Sequence, residues 1–97
     1  MSKLNPSPTP SLDRAGENKY FVYILRTEKN TLYTGQTIDL EKRLEKHRSG
    51  KGAKYLRRFK KLELVYKEEC GNLGEALRRE AEIKRMTKRE KEKLVLK

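Results

Sequence analysis

The sequence contains one cysteine, Cys70, and no apolar run near the ~20 residues that a membrane-spanning helix needs. A single cysteine excludes an intramolecular disulfide and a multi-cysteine zinc site, which fits a reducing environment. The amino terminus lacks the apolar region of a signal peptide. From these absences we expect an intracellular, cytoplasmic protein, with nucleoid association compatible, and no membrane partner.

Proline is absent from the chain after residue 18. All three prolines lie in residues 1–18, where large apolar side chains are also scarce. This composition predicts a flexible tail over 1–18 and one folded domain over 19–97. Apolar residues make up only 34% of the chain, and a domain this small buries only ~60% of its unfolded surface, so we expect modest stability.

Acidic residues are scarcest where basic residues are densest. The net charge is +11, and residues 42–61 hold ten Lys or Arg against one acid, Glu45. Solubility alone does not require such a density, so we expect a polyanionic partner, of which nucleic acid is the commonest. A membrane surface is the competing partner, but it favours a bulky apolar helix face that 42–61 lacks.

The pattern of apolar residues predicts an α+β domain with the element order ββαβαα and a small antiparallel sheet. An apolar, β-branched run at 19–27 predicts a strand buried on both faces. Turn-forming residues, with Asn30 suited to a positive φ, join it to a second strand in a hairpin. The later expected elements are a helix from Thr37 or Asp39 to Ser49–Gly50, a basic loop 51–61, a strand 62–69, and helices 73–86 and 87–95.

Two tyrosines in the hairpin form the first candidate for a site. If the hairpin is symmetric about Lys29, Tyr23 pairs with Gly35, and Tyr23 and Tyr33 share a face as diagonal neighbours. A phenol can donate to a phosphate oxygen and, with help, take a proton from water. The alternative is cross-strand packing, which position alone favours. Gly35 indicates either a close approach by another group or a bulge.

The first helix supplies two further candidates. Arg43 and His47 are four residues apart and therefore stack on one helix face. Arg43 lies at the edge of the stripe expected to pack on the sheet, where its guanidinium suits bidentate contact with phosphate. His47 is the only histidine and can hold or pass a proton near neutral pH. A solvated helix flank is the alternative for His47.

Glu80 interrupts the expected apolar stripe of the second helix, which Leu73, Ala76, Leu77 and Ile83 form. A carboxylate on a buried face is costly unless a partner compensates it. A structural salt bridge is one possibility. A magnesium or manganese ligand is the other, because such ions often use one or two carboxylates and complete their shell with water and substrate phosphate.

The segment 50–58 combines glycines, basic residues and one aromatic residue. It lacks the spacing of a nucleotide-binding P-loop. Its composition suits contact with a nucleic-acid backbone. The candidate nucleic-acid-binding residues are Lys46, Lys51, Lys54, Arg57 and Arg58.

Four motifs in order resemble the GIY-YIG nuclease family. Residues 21–23 (FVY) and 33–35 (YTG) are similar to the two halves of its signature. Residues 39–47 (DLEKRLEKH) resemble its next helix, and 75–84 (EALRREAEIK) resemble its metal-binding helix. Any one motif is weak, but four at this spacing are specific. The likeness is greatest to small stand-alone bacterial members and covers residues 20–93.

The resemblance implies a three-stranded antiparallel sheet with the first strand central, flanked by helices, and a metal-dependent DNA endonuclease. Glu80 would bind a single Mg²⁺ or Mn²⁺, and Arg43 would stabilise the phosphate. Tyr33 would activate water, with Tyr23 and His47 assisting through hydrogen bonds and proton handling. The family further implies roles in DNA repair or recombination on branched or damaged DNA. No separate site-choosing domain is expected, so the chain would either be weakly selective by itself or be directed by a partner protein.

Three positions depart from the family pattern. Phe21 stands where the name-giving glycine would be, Gln36 stands where several members have lysine, and no asparagine follows Asn72. The alternative function is a nucleic-acid-binding module with a degenerate nuclease site that does not cleave. The basic surface alone would support that function through salt-sensitive binding without metal.

Overall fold

A computed structural model describes residues 19–97 as three strands and three α-helices in the order ββαβαα. The predicted tail at 1–18 lies outside the described residues. The elements are β1 (Tyr20–Thr27), β2 (Leu32–Thr37), α1 (Leu40–Arg48), β3 (Leu62–Cys70), α2 (Leu73–Lys84) and α3 (Lys88–Val95). The expected α+β class and element order are therefore confirmed.

The sheet has the order β2-β1-β3, with β1 central and antiparallel to both neighbours. Asn30 turns the β1–β2 hairpin with a φ of 66°, a left-handed conformation that asparagine tolerates well. Tyr23 pairs with Gly35 and Leu25 with Tyr33. The register predicted from the symmetric hairpin is thus confirmed.

The central strand is buried on both faces because each face has its own hydrophobic cluster. Side chains alternate along a strand, so Val22 and Ile24 point to one face and Tyr23 and Leu25 to the other. The first face, here called the helix-pair face, contains Val22, Ile24, Cys70, Ala76, Ile83 and Leu94. The second, here called the tyrosine face, contains Tyr23, Leu25, Leu56 and Leu62, with Tyr33, Leu40 and Leu44 packed against them.

Each α-helix begins at a residue whose side chain accepts a backbone N–H. Asp39 caps α1, Asn72 caps α2, and Thr87 caps α3 in a reciprocal capping box with Glu90. Such caps typically stabilise a helix by ~1 kcal/mol each. They fix where α1 and α2 start. The start of each helix in turn determines the direction in which Arg43, His47 and Glu80 project from it.

Three local expectations differ from the structure. The segment expected to be a loop over 51–61 contains a 3₁₀ helix, Lys54–Arg58, whose Leu56 is fully buried. The alternation expected along 62–69 is interrupted by a bulge opposite Ile24 and Leu25. The second helix ends at Lys84, two residues before the predicted end at residue 86. Its buried apolar stripe is also narrower than predicted. Ala76 and Ile83 are buried, but Leu73 and Leu77 are 43% and 46% exposed.

No helix within residues 19–97 is long and apolar enough to cross a membrane.

Candidate active site

The β1–β2 hairpin places the Tyr23 side chain over strand β2. The Tyr23 side chain is 2% exposed and lies over Gly35, where a Cβ atom would approach its Oη to 2.5 Å. The pairing of β1 with β2 is regular at this point, so Gly35 marks a close approach and not a bulge. Glycine at position 35 therefore allows the Tyr23 phenol to reach the β2 edge of the sheet.

His47 is buried beneath Tyr23 and a loop. Its side chain is only 2% exposed, so the solvated-flank interpretation is wrong. Its Nε2 lies 2.9 Å from the Tyr23 Oη, and its Nδ1 accepts the Ala53 N–H at 3.2 Å. Helix α1 alone would leave this position in solvent. The loop that includes Gly52 and Ala53 covers it, and a Cβ at Gly52 would lie 2.0 Å from Nδ1.

These two contacts determine the His47 tautomer. Because Nδ1 accepts a backbone N–H, the ring proton is on Nε2, which donates to the Tyr23 oxygen. The opposite tautomer would set two N–H groups against each other. Burial lowers the pKa of His47 below 6.5, and the nearby cations Arg43 and Lys46 lower it further. His47 is therefore neutral at pH 7 and leaves the Tyr23 hydrogen free to be donated elsewhere.

Three other predicted site residues affect the pKa of the Tyr23 phenol. Burial raises the pKa of the Tyr23 phenol well above 10. Tyr33 raises it as well, Arg43 lowers it, and Glu80 raises it again. The Tyr23 pKa thus responds to Tyr33, Arg43 and Glu80, and the Tyr33 ring also contacts the His47 ring that Tyr23 bonds. Tyr23 keeps its proton at neutral pH and acts as a donor.

Tyr33 lies on the same face as Tyr23, as predicted. Its ring meets the His47 ring edge-on, with centroids 5.7 Å apart and an interplanar angle of 71°. On another side it stacks on Tyr55, with centroids 6.3 Å apart and planes 13° from parallel. The Tyr33 side chain is half-buried, so part of it is open to solvent.

Arg43 is half-buried at the rim of the tyrosine face. It lines an open groove of about 580 Å³ beside α1 that Lys42 and Lys46 also line. Arg43 makes no ion pair with any acid in residues 19–97. Its guanidinium is therefore available to an anion that enters the groove.

Glu80 comes from α2, the helix whose buried side chains pack on the helix-pair face. Its side chain is 18% exposed, and one carboxylate oxygen lies 3.2 Å from the Lys84 Nζ. Lys84 is 54% exposed, so solvent or a ligand can displace it readily. The expectation that Glu80 sits in the middle of a buried stripe is corrected. It lies at the edge of the stripe, between buried Ala76 and exposed Leu77.

The site can accept a divalent cation only with an open coordination shell. In the described part of the chain, no three His, Cys, Asp or Glu side chains cluster as metal ligands. Mg²⁺ characteristically binds through one or two carboxylates plus water and substrate phosphate. The single half-buried carboxylate of Glu80 fits an ion of that kind and does not fit zinc in a closed structural site.

The predicted nucleic-acid-binding residues share an exposed surface. The five residues are Lys46, Lys51, Lys54, Arg57 and Arg58, and all are exposed. None of the ten basic residues in 42–61 forms an ion pair with an acid in 19–97, although other basic residues form six. This surface borders His47 through the loop and Tyr33 through Tyr55.

Sequence analysis did not identify the residues that hold the tyrosines in place. Ala53 fixes the His47 tautomer through its backbone N–H, and Tyr55 stacks on Tyr33. The glycines at 50 and 52 were the available signal. Gly50 has a φ of 83°, which most residues avoid, and Gly52 leaves room for the His47 ring.

A three-stranded antiparallel sheet with a tyrosine face beside a basic surface is the arrangement expected of the small nuclease-type catalytic domain that the sequence resembles. The model of the GIY-YIG catalytic domain family matches residues 19–93. The chain belongs to the GIY-YIG family. Enzymes of this family are nucleases that generally use a divalent metal.

Relatives of similar size support the assignment. The UPF0213 protein YhbQ of Escherichia coli K12 is 50% identical over 76 residues, 78% of this chain and 76% of that protein. YhbQ of the strain O1:K1 is 49% identical over the same length. The solution structure of the UPF0213 protein BH0048 from Bacillus halodurans is 43% identical and covers 79% of this chain and 82% of that chain, with a TM-score of 0.53. These names specify no activity, so the link to nucleases comes from the family.

Proposed function

We propose that this protein is a metal-dependent endonuclease that hydrolyses DNA phosphodiester bonds. The proposal depends chiefly on the geometry at the Tyr23 hydroxyl, which bonds the His47 Nε2 at 2.9 Å while the Tyr33 ring meets the same imidazole edge-on. Hydrolysis of a phosphodiester needs a cation at the scissile phosphate, a positive group for the charge of the transition state, and a base for the water. Glu80, Arg43 and Tyr33 are residues of the types that these three roles require.

Glu80 would hold a single Mg²⁺ or Mn²⁺. When bound, the ion would polarise the scissile phosphate and neutralise part of its charge. Arg43 would bind a non-bridging phosphate oxygen from the groove beside α1, where a planar guanidinium can donate two parallel hydrogen bonds. Lys84 would leave Glu80 when the ion binds, since its own side chain is largely in solvent.

Tyr33, which is half-buried, would first release its own phenolic proton to solvent and would then take a proton from the attacking water. The oxygen that leaves the phosphorus would take a proton from solvent, and Tyr23 would orient the reacting groups. Tyr23 suits a donor role because its raised pKa keeps the phenol protonated and its oxygen already accepts from His47. In this tautomer His47 cannot take a proton from Tyr23, because Nε2 is already protonated and Nδ1 is bound to Ala53. His47 would thus orient Tyr23 rather than relay its proton.

The unpaired basic surface would hold the DNA backbone next to this site. Contacts from Lys46, Lys51, Lys54, Arg57 and Arg58 to phosphates would position the duplex without selecting a sequence. That the preferred substrate is branched or damaged DNA in repair or recombination stays a prediction. The same holds for a protein partner that directs the domain to its site.

A second function, nucleic-acid binding without cleavage, is favoured by the ion pair between Glu80 and Lys84. If that pair is structural, Glu80 serves the helix and not a metal. The two functions predict different consequences of removing the Lys84 side chain. A metal-binding Glu80 works without Lys84, whereas a structural pair fails equally when either partner is removed.

The test is nicking of supercoiled plasmid DNA by the wild type, Glu80→Ala and Lys84→Ala, with Mg²⁺ or Mn²⁺ and with a chelator. We expect the wild type and Lys84→Ala to nick only with metal, and Glu80→Ala to nick at background rate. Equal cutting by wild type and Glu80→Ala would indicate a contaminating nuclease and refute the proposal. Salt-sensitive, metal-independent binding by all three proteins without any cutting would support the second function.

A further inference from the structure

Tyr55 lies outside the predicted site but contacts one of its members directly. It belongs to the 3₁₀ helix Lys54–Arg58, is 40% exposed, and stacks nearly parallel on Tyr33. With His47 edge-on to the same ring, Tyr33 is held between two aromatic groups. Such pairs contribute ~0.5–1.5 kcal/mol beyond the area they bury, and they restrict the orientation of the rings.

Tyr55 is itself held in place from several directions. The Tyr55 hydroxyl donates to the Thr31 Oγ1 at 3.1 Å. The Thr31 hydroxyl in turn lies 2.7 Å from the Thr27 Oγ1 in the hairpin. The Arg58 guanidinium lies 5.1 Å from the Tyr55 ring centroid, and the Phe59 ring 5.4 Å from it. A side chain that served only to contact solvent or a nucleobase would not need a hydroxyl anchored to the hairpin.

The position of Tyr55 along the chain links the basic surface to Tyr33. Lys54 precedes it, and Arg57 and Arg58 follow within the same short helix. Tyr33 lies on β2, an edge strand of the sheet, so strand pairing holds its backbone on one side only. A stacked neighbour therefore has more effect on the Tyr33 ring than it would have in a central strand.

We propose that Tyr55 is a positioning residue, which holds the Tyr33 ring against His47 so that the Tyr33 hydroxyl stays at the reacting phosphate. The inference rests on the proposed function for its catalytic consequence, but its structural part concerns the free protein. Loss of the planar ring at position 55 would let Tyr33 leave His47. A displacement near 1 Å in a catalytic group can cost ~10²-fold in rate.

Two substitutions separate the stack from the hydroxyl link. Tyr55→Phe keeps the planar ring and removes the bond to Thr31, whereas Tyr55→Leu removes the ring. Tyr55→Met is a second ring-free variant that preserves more of the volume, and circular dichroism shows which of the two is folded. Because His47 is the only histidine, its ring protons are a unique reporter for nuclear Overhauser contacts with Tyr33, assigned with Tyr33→Phe.

We expect the His47–Tyr33 contact to persist in Tyr55→Phe and to be lost in the ring-free variants, in protein without DNA or metal. In plasmid nicking we expect kcat of the ring-free variants to fall ~10²-fold with KM within about twofold of wild type. Tyr55→Phe should stay within about threefold of wild type in both constants.

Three results would overturn the inference. One is an unchanged His47–Tyr33 contact in a folded ring-free variant. Another is an equal fall of kcat in Tyr55→Phe and Tyr55→Leu, which would assign the effect to the hydroxyl. The third is a rise in KM with unchanged kcat, which would show that Tyr55 stacks on a nucleobase. If the wild type cuts no DNA, the proposed function fails, and the nuclear Overhauser contact still decides the role of Tyr55.

Discussion

The two faces of the sheet use their polar groups in opposite ways. On the helix-pair face the buried side chains are mostly aliphatic, and charged groups pair with one another. Arg26 makes two hydrogen bonds of 2.8 Å to Glu92, and Arg79 bonds Glu68 and Glu82. The Glu92 carboxyl pKa falls to about 2 because Arg26 and Lys88 donate to it. The half-buried Arg26, Arg79, Glu68 and Glu92 are thus paired with one another's charges within the protein.

The tyrosine face instead buries a polar pair and leaves its cations unpaired. Tyr23 and His47 are fully buried and bonded to each other, and the basic residues of 42–61 have no acidic partner within residues 19–97. A buried polar pair contributes less to stability than aliphatic packing of equal volume. The contrast indicates that the helix-pair face stabilises the fold, while the tyrosine face is arranged for an anionic ligand.

The largest expected effect comes from replacing one half-buried arginine on each side of the sheet with alanine. Arg43→Ala should lower the rate of metal-dependent plasmid nicking by ~10²–10³-fold, because it removes a charge that stabilises the transition state. Arg79→Ala removes a paired arginine of the helix-pair face and should lower stability while leaving the rate per folded molecule unchanged. Equal losses of rate in the two variants, after correction for folded fraction, would contradict the division between the faces.

The next effect concerns DNA affinity and its dependence on salt. A variant with glutamine at four basic-loop positions should bind duplex DNA more weakly, with a log–log salt slope smaller by up to ~3.6, since each lost phosphate contact reduces it by ~0.9. The four substitutions are Lys51→Gln, Lys54→Gln, Arg57→Gln and Arg58→Gln. Fluorescence anisotropy at several salt concentrations measures the slope.

A variant with the same charge change on α2, its C-cap residue Arg85 and α3 is the control. Its substitutions are Arg78→Gln, Arg85→Gln, Arg89→Gln and Lys93→Gln, all at exposed positions. We expect its salt slope to change by less than half as much as that of the loop variant. If both variants lose the same slope, DNA binding follows net charge and not a particular surface.

A smaller effect is expected when the space beside His47 is filled. Gly52→Ala places a Cβ 2.0 Å from the His47 Nδ1, so the loop must move and the Ala53–His47 bond weakens. We expect a loss of ~1–3 kcal/mol in the free energy of unfolding, measured by urea denaturation. Gly74→Ala in α2 is the control, because its Cβ meets only the Asn72 side chain at 3.3 Å. A Gly52→Ala protein as stable as Gly74→Ala would show that the loop does not cover His47 tightly.

The smallest effect is a pH dependence of stability from His47. Its pKa is below 6.5 in the folded protein, so the unfolded chain binds the proton more readily between the folded pKa and 6.5. The stabilising effect of the neutral ring is therefore complete above pH 6.5 and is lost as the pH falls below it. Denaturation of wild type and His47→Gln between pH 7.5 and 5 should show this slope only in wild type. An identical slope in both proteins would assign it to other groups.

The sequence predicted features that local patterns determine. The pairing of Tyr23 with Gly35 followed from a turn centred on Lys29 and an asparagine able to take a positive φ. The local pattern could not predict the burial of His47. Gly52 and Ala53 cover its side chain, and they do so only because the chain turns back after α1. Helical periodicity also placed Leu77 in the core, whereas α2 meets the sheet along the narrower stripe of Ala76 and Ile83.

The most direct test measures whether a cation bound at Glu80 lies close to the Tyr23 and Tyr33 rings of the tyrosine face. The tyrosines report on both faces, since Tyr23 and Tyr33 belong to the tyrosine face, while Tyr20 and Tyr66 pack on the helix-pair face. In spectra of protein with labelled tyrosine rings, low concentrations of paramagnetic Mn²⁺ should broaden Tyr23 and Tyr33 first, and Glu80→Gln should abolish the effect. Earlier broadening of Tyr66, which bonds Glu68, or broadening of Tyr23 and Tyr33 that survives Glu80→Gln, would contradict a metal-dependent site at these residues.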